Sequence, residues 1–137
     1  MEKLSEAISV ATLAHEGQFD KAGMPYILHP FRVMQRLHNQ GHSEELLVAA
    51  ILHDTVEDTN ITIEEIEEQF GAEVARIVAA VSREDETYME FIARVKMAGN
   101  KAIALKLADI EDNTDLRRPR IEHLAERYAK AKELLLS

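Results

Sequence analysis

Seven apolar residues, Leu46 to Leu52, run directly into His53 and Asp54, with Glu57 and Asp58 close behind. A helix apolar on every side is buried all round. Ionisable side chains at the end of such a helix cost on the order of several kcal/mol per charge unless something neutralises them, and a metal ion can serve an imidazole and a carboxylate together. A second apolar run, Ala102 to Ala108, behaves the same way: it ends in Asp109, with Asp112 and Asn113 three and four residues on and so on the same helical face. Several carboxylates brought together by two core helices would repel one another. A divalent cation between the helix ends resolves that repulsion.

His53, Asp54 and Asp109 supply one nitrogen and two oxygens. His29, at the entrance of another helix, is the best candidate for a fourth ligand. Imidazole and carboxylate without sulfur suit Mn²⁺, Fe²⁺ or Zn²⁺ and leave positions open for water and substrate, as in a catalytic rather than a structural site. On a continuous helix, His53 stacks below Glu57 and Asp54 below Asp58, in two adjacent columns. Glu57 and Asp58 then sit one turn from the metal, where a carboxylate can orient or deprotonate water. No histidine occurs between Asp54 and Asp109 to build a second site, so a single ion is expected.

The elements that must position these groups read as helices. Leu4, Ala7, Ile8, Ala11 and Ala14 share one face, and a loop from Phe19 to Leu28 contains Gly23 and Pro25. Pro30 suits a first helical position, with His29 as the cap and the helix running to Arg36 or Leu37. Ser43 caps the buried helix. Thr62 and Thr87, each followed three residues later by Glu, open two more helices. Gly71 and Gly99-Asn100 punctuate the rest, Ser82 to Glu86 forms a charged loop, and a last amphipathic helix covers about Ile121 to Leu136 after Pro119. Strand signals are lacking. The expectation is an all-α bundle of about seven or eight helices forming one domain over residues 1–137.

Composition narrows the function. With 25 acidic and 16 basic residues the formal charge is −9, and no Lys/Arg run is long enough to recruit nucleic acid or an anionic membrane. Cysteine is absent, which excludes disulfides and thiolate metal sites. The N-terminus carries acids where a signal peptide needs basic and apolar stretches, and no apolar run approaches the ~20 residues of a spanning helix. A cytoplasmic location is expected.

Taken in order, Ala14-His15-Glu16-Gly17-Gln18, Pro25-Tyr26-Ile27-Leu28-His29-Pro30, Leu52 to Thr59, Phe70-Gly71, and Lys106-Leu107-Ala108-Asp109 with Asn113 resemble the HD-domain metal-dependent phosphohydrolases, and among them the hydrolase domain of the RelA/SpoT group and the small alarmone hydrolases. The resemblance spans roughly Ile8 to Leu116. It implies an all-α domain binding one Mn²⁺ through His29, His53, Asp54 and Asp109, with Glu57 and Asp58 activating water and Asn113 contacting substrate. The implied reaction removes pyrophosphate from the 3′ position of guanosine tetra- or pentaphosphate, a metal-activated water attacking the 3′ phosphate. Lys21 matches a basic substrate position. No synthetase region accompanies the hydrolase region, so no alarmone synthesis is expected.

Two positions depart from that pattern. Asp20 and Asp115 stand where the alarmone hydrolases carry Arg, placing anions near the expected phosphates. They keep open an HD phosphohydrolase acting on another nucleotide or phosphorylated metabolite. A non-catalytic regulatory HD protein is the third reading, against which the intact Glu57 and Asp58 weigh. Other residues have plainer explanations: His15 as a loop brace, His38, His42 and His123 as surface side chains. Tyr88, Phe91 and Arg94 share a helical side and could reach a base and its phosphates, although aromatics at such positions as Tyr88 and Phe91 are more often core. Oligomeric state is not legible in the sequence.

Overall fold

A computed structural model describes residues 2–115 and 122–137. They form α1 (Glu2–Ala14), α2 (Leu28–Asn39), α3 (Glu44–Leu52), α4 (Thr55–Asp58), α5 (Ile63–Phe70), α6 (Ala72–Ala80), α7 (Tyr88–Met97), α8 (Asn100–Asn113) and α9 (Glu122–Leu136). The all-α expectation holds. Among the described residues the one β feature is an isolated bridge between Phe19 and Pro25 that closes the α1–α2 loop. The expected helix start at Ile121, Pro119 before it and the side chain of His123 lie outside the described residues.

The organising element is α3. Leu46 to Leu52 are all at most 1% exposed, so beyond its first two residues the helix has no solvent face, and it packs against α1, α2, α6 and α8. On α1 the fully buried residues are Ala7 and Ala11, one turn apart and small enough for close approach. On α2 the buried stripe is His29, Val33 and Leu37, spaced by fours. Val33 and Leu37 therefore seat the helix, and the same face delivers His29 into the interior one turn earlier. The buried stripe of α8 reads Ala102, Leu105, Asp109, Asp112, so its two carboxylates continue the apolar face of their own helix.

Two details differ from the sequence reading. Ile27 is the N-cap of α2, which puts His29 and Pro30 inside the first turn rather than at its threshold. Proline is tolerated there because first-turn N–H groups have no intrahelical acceptor. The buried helix also does not continue through Asp58. It ends at Leu52, Asp54 takes φ −94° and ψ −4°, and α4 is a separate turn. The additional element accounts for nine described helices against the expected seven or eight. Thr55 Oγ1 donates to the Leu52 carbonyl at 2.7 Å, supplying a partner that the lost helical N–H would have provided.

The caps behave as their residue types dictate. Thr87 and Glu90 form a complete capping box for α7, and Thr62 accepts from the Glu65 N–H to start α5. Ser43 occupies the N-cap of α3 without a side-chain bond. Between α5 and α6, Gly71 holds φ +101° and ψ 165°, a conformation open essentially to glycine alone.

Candidate metal centre

Three elements meet at one point: the first turn of α2, the break after α3, and the last two turns of α8. His29, His53, Asp54 and Asp109 each offer a donor atom there, all within 4.8 Å of one another. Among the described residues this is the one cluster of three or more such groups. His29 Nε2 lies 2.8 Å from Asp109 Oδ1 and 3.5 Å from Asp54 Oδ2, and His53 Nε2 lies 3.2 Å from each of those oxygens. The break at Asp54 matters here. Successive residues on an unbroken helix diverge by about 100°, yet His53 and Asp54 converge. The two stacked columns expected from a continuous helix are replaced by a kink that aims both side chains into the cluster.

The protons show what the cluster is suited to hold. A carbonyl only accepts, so the 2.6 Å contact between His53 Nδ1 and the Ala50 carbonyl requires the proton on Nδ1. Nε2 of a neutral ring is then a lone pair aimed at two carboxylates. His29 is arranged alike: its Nδ1 lies 2.6 Å from an Asp112 oxygen, and its Nε2 faces Asp109. Without a cation, both rings must take a second proton to face those oxygens. With bonds of about 2.1 Å to a cation, neighbouring donors lie roughly 3.0–3.4 Å apart, close to the spacings seen here. The residues fit a divalent ion.

The electrostatics point the same way. Burial disfavours a charged His29, but hydrogen bonds to Asp109 and Asp112 outweigh it and raise its pKa from 6.5 to about 9. His53 is raised as well: burial works against the charge, and Asp54 and Asp109 overcome it. Burial alone would raise Asp109, yet Lys106 and the two histidines hold it well below the usual carboxylate range. The metal-free site is thus a set of cations clamped on carboxylates, the charge pattern that a metal would replace.

Supporting contacts extend beyond the residues read from the sequence. Tyr26 donates to Asp54 Oδ2 at 2.8 Å, and burial beside Asp54 raises its pKa so that it stays a donor. Lys106 is 8% exposed and donates to Asp109 Oδ2 at 2.8 Å, with its ammonium 5.1 Å from the Phe91 ring centroid. Its signal was visible: a single cation inside an otherwise apolar run. Arg32 grips Asp112 through Nε at 2.7 Å. His15 braces as expected, its Nδ1 2.9 Å from Gln18 Oε1, while Gln18 Nε2 donates to the Asp58 carbonyl at 2.9 Å.

Glu57 and Asp58 stand on the solvent side of the cluster. Glu57 accepts a hydrogen bond from the Arg83 backbone N–H, which ties it to the loop after α6. Desolvation raises its pKa, the Arg83 N–H partly offsets this, and Asp54 and Asp58 add to the rise. Asp58 is raised too, first by desolvation and then by Asp54. That loop is held by Arg94, which donates to the Ala79, Ala80 and Ser82 carbonyls and to Glu86. Arg94 is therefore committed to the end of α6 rather than extended toward a phosphate, and Phe91 is core at 3% exposure.

Asn113 Nδ2 lies 3.5 Å from Asp109 Oδ1, at the edge of the cluster. Lys21 is exposed on a turn in which Asp20 accepts from the Ala22 and Met24 N–H groups at 2.9 Å. Asp115 pairs with Arg36 at 3.1 Å, so part of its charge is offset. His38 and His42 are exposed, as expected.

Comparison with known proteins agrees with this geometry. The family model described as HD domain matches residues 7–107. The guanosine-3′,5′-bis(diphosphate) 3′-pyrophosphohydrolase of Aquifex aeolicus (strain VF5) is 39% identical over 121 residues, covering 82% of this chain and 17% of the relative. The bifunctional (p)ppGpp synthase/hydrolase SpoT of Escherichia coli (strain K12) is 38% identical over 124 residues, covering 82% and 18%. This chain thus spans about a sixth of the length of these curated relatives. The solved structure of a metazoan ortholog of SpoT, which hydrolyzes ppGpp and plays a role in starvation responses, superposes with a TM-score of 0.82 at 28% identity, covering 99% of this chain and 86% of that one. A crystal structure of a Listeria monocytogenes EGD-e protein reaches a TM-score of 0.65 at 32% identity, covering 82% and 80%. With the matched region running from α1 into α8 and including His29, His53 and Asp54, the chain belongs to the HD-domain family.

Proposed function

We propose that this chain is a metal-dependent phosphohydrolase that removes pyrophosphate from the 3′ position of guanosine tetra- or pentaphosphate, with a single Mn²⁺ as the resident ion. The observation that carries the reading is the convergence of His29, His53, Asp54 and Asp109 beside an exposed acid pair. The activities of these relatives support the choice of substrate.

A divalent ion held by these four residues would acidify a nearby water and offset charge on phosphate oxygens. The chain supplies the rest. Glu57, its proton affinity raised by desolvation and its carboxylate anchored by the Arg83 N–H, takes the proton of the attacking water. Asp58 orients that water from the adjacent position. The water oxygen bonds to the phosphorus attached to the ribose 3′ oxygen, the P–O3′ bond breaks, and the 3′ oxygen takes up a proton. The tetraphosphate then yields GDP and pyrophosphate. Asn113 at the cluster edge and Lys21 on the α1–α2 loop are the proposed substrate contacts.

Asp20 and Asp115 favour a second reading, an HD phosphohydrolase for a less highly charged nucleotide or phosphorylated metabolite. Incubating Mn²⁺-loaded protein with a nucleotide panel and identifying products separates the two. GDP and pyrophosphate in equal amounts from guanosine tetraphosphate are expected. Turnover of another compound with the tetraphosphate untouched would establish the second reading.

A further inference from the structure

His29 and His53 face the cluster through the same nitrogen but are held from behind by different acceptors. His53 Nδ1–H donates to the neutral Ala50 carbonyl, whereas His29 Nδ1–H donates to the Asp112 carboxylate at 2.6 Å. Asp112 is 1% exposed, so water does not compete for it. Arg32 donates to its Oδ1 at 2.7 Å and to its Oδ2 at 3.2 Å, which keeps the carboxylate ionised. Asp112 also follows Asp109 by three residues. One turn of α8 therefore supplies a donor to the cluster and the anchor for another. A carboxylate behind an imidazole fixes the tautomer and ring orientation, and it makes the opposite nitrogen a stronger donor than a carbonyl would.

We propose that Asp112, steadied by Arg32, is a positioning residue that presents His29 Nε2 to the metal and sets the strength with which the site holds it. The inference rests on the metal reading above. A purely structural ion pair joining α2 to α8 makes a different demand: its loss would lower stability but leave the metal affinity of the folded protein unchanged.

Asp112→Asn keeps the shape and an acceptor oxygen while removing the charge. Calorimetric titration with Mn²⁺ is expected to show affinity weakened roughly 10–100-fold in the folded variant, with a shifted visible spectrum when Co²⁺ is bound instead. A second measurement needs no substitution. In ¹⁵N-histidine-labelled protein loaded with Zn²⁺, His29 Nδ1 should keep its proton, with a far-downfield proton resonance, while Nε2 carries the metal. Mn²⁺ affinity within about twofold of the parent, or Zn²⁺ on His29 Nδ1, overturns the proposal. If the parent binds none of the three ions, the metal reading fails with it, so the two failures are told apart.

Discussion

At the scale of single residues, the acids divide, on the proposed function, into those that would hold the ion and those that would act on water. Asp109 is buried and clamped by Lys106, His29 and His53, while Glu57 and Asp58 stand at the solvent edge with raised pKa values. Asp109→Ala is accordingly expected to abolish metal binding and turnover together. Glu57→Gln combined with Asp58→Asn should keep the metal and slow turnover by about 10²–10⁴-fold, the usual contribution of a positioned base. Metal analysis alongside steady-state rates checks both, and a double variant at the parent rate would remove the acid pair from the mechanism. His29 gives a pH signature to the metal-free protein. Its pKa rises from 6.5 to about 9 on folding, so the stability it contributes is complete below 6.5 and is lost as pH rises toward 9. Asp112, lowered to about 2, contributes above 3.8 and loses that contribution as pH falls through 2. The melting temperature of the metal-free protein should therefore decline between pH 6.5 and 9 by more than that of the metal-loaded protein. Parallel melting curves across that range would show that the histidine protons are not exchanged for a cation.

At the scale of elements, the site depends on how helices end. An apolar run predicts that α3 is buried, but the run alone does not say where the helix stops, because His53 and Asp54 have no strong breaking preference. At the break the Asp54 carboxylate meets His29 of α2 and Tyr26 of the preceding loop, contacts between distant residues that were not legible in the sequence. The convergence itself was legible: His53, Asp54 and Asp109 stand at the ends of apolar runs and His29 at a helix entrance, and the structure brings their donor atoms within 4.8 Å of one another. Lys106 and Tyr26 were missed as site residues because a lysine or tyrosine at these positions has many uses until its neighbours are known. Arg94 was placed on the correct face of α7, but sequence could not reveal the α6 carbonyls waiting for it. Glycine spacing, by contrast, translated directly into backbone. Gly71→Ala meets no atom within 4 Å of the added carbon, so its cost is conformational alone, about 1–3 kcal/mol in denaturant melts. A neutral effect would mean that the α5–α6 junction tolerates a different backbone than the one observed.

At the scale of the whole molecule, α3 and α8 carry polar ends to a shared point, and α2 brings His29 across to close it. No helix of the described residues is long and apolar enough to cross a membrane. On the proposed function, a net charge of −9 would leave a phosphorylated substrate dependent on local cations and on the ion, so affinity for it is expected to fall sharply when the ion is removed. The most direct measurement is anomalous diffraction from crystals grown with Mn²⁺. The expected result is one peak per chain at about 2.0–2.2 Å from His29 Nε2, His53 Nε2 and oxygens of Asp54 and Asp109. No peak, with the four side chains joined only by their own hydrogen bonds, would contradict the account, and two peaks within the cluster would contradict its single-ion form.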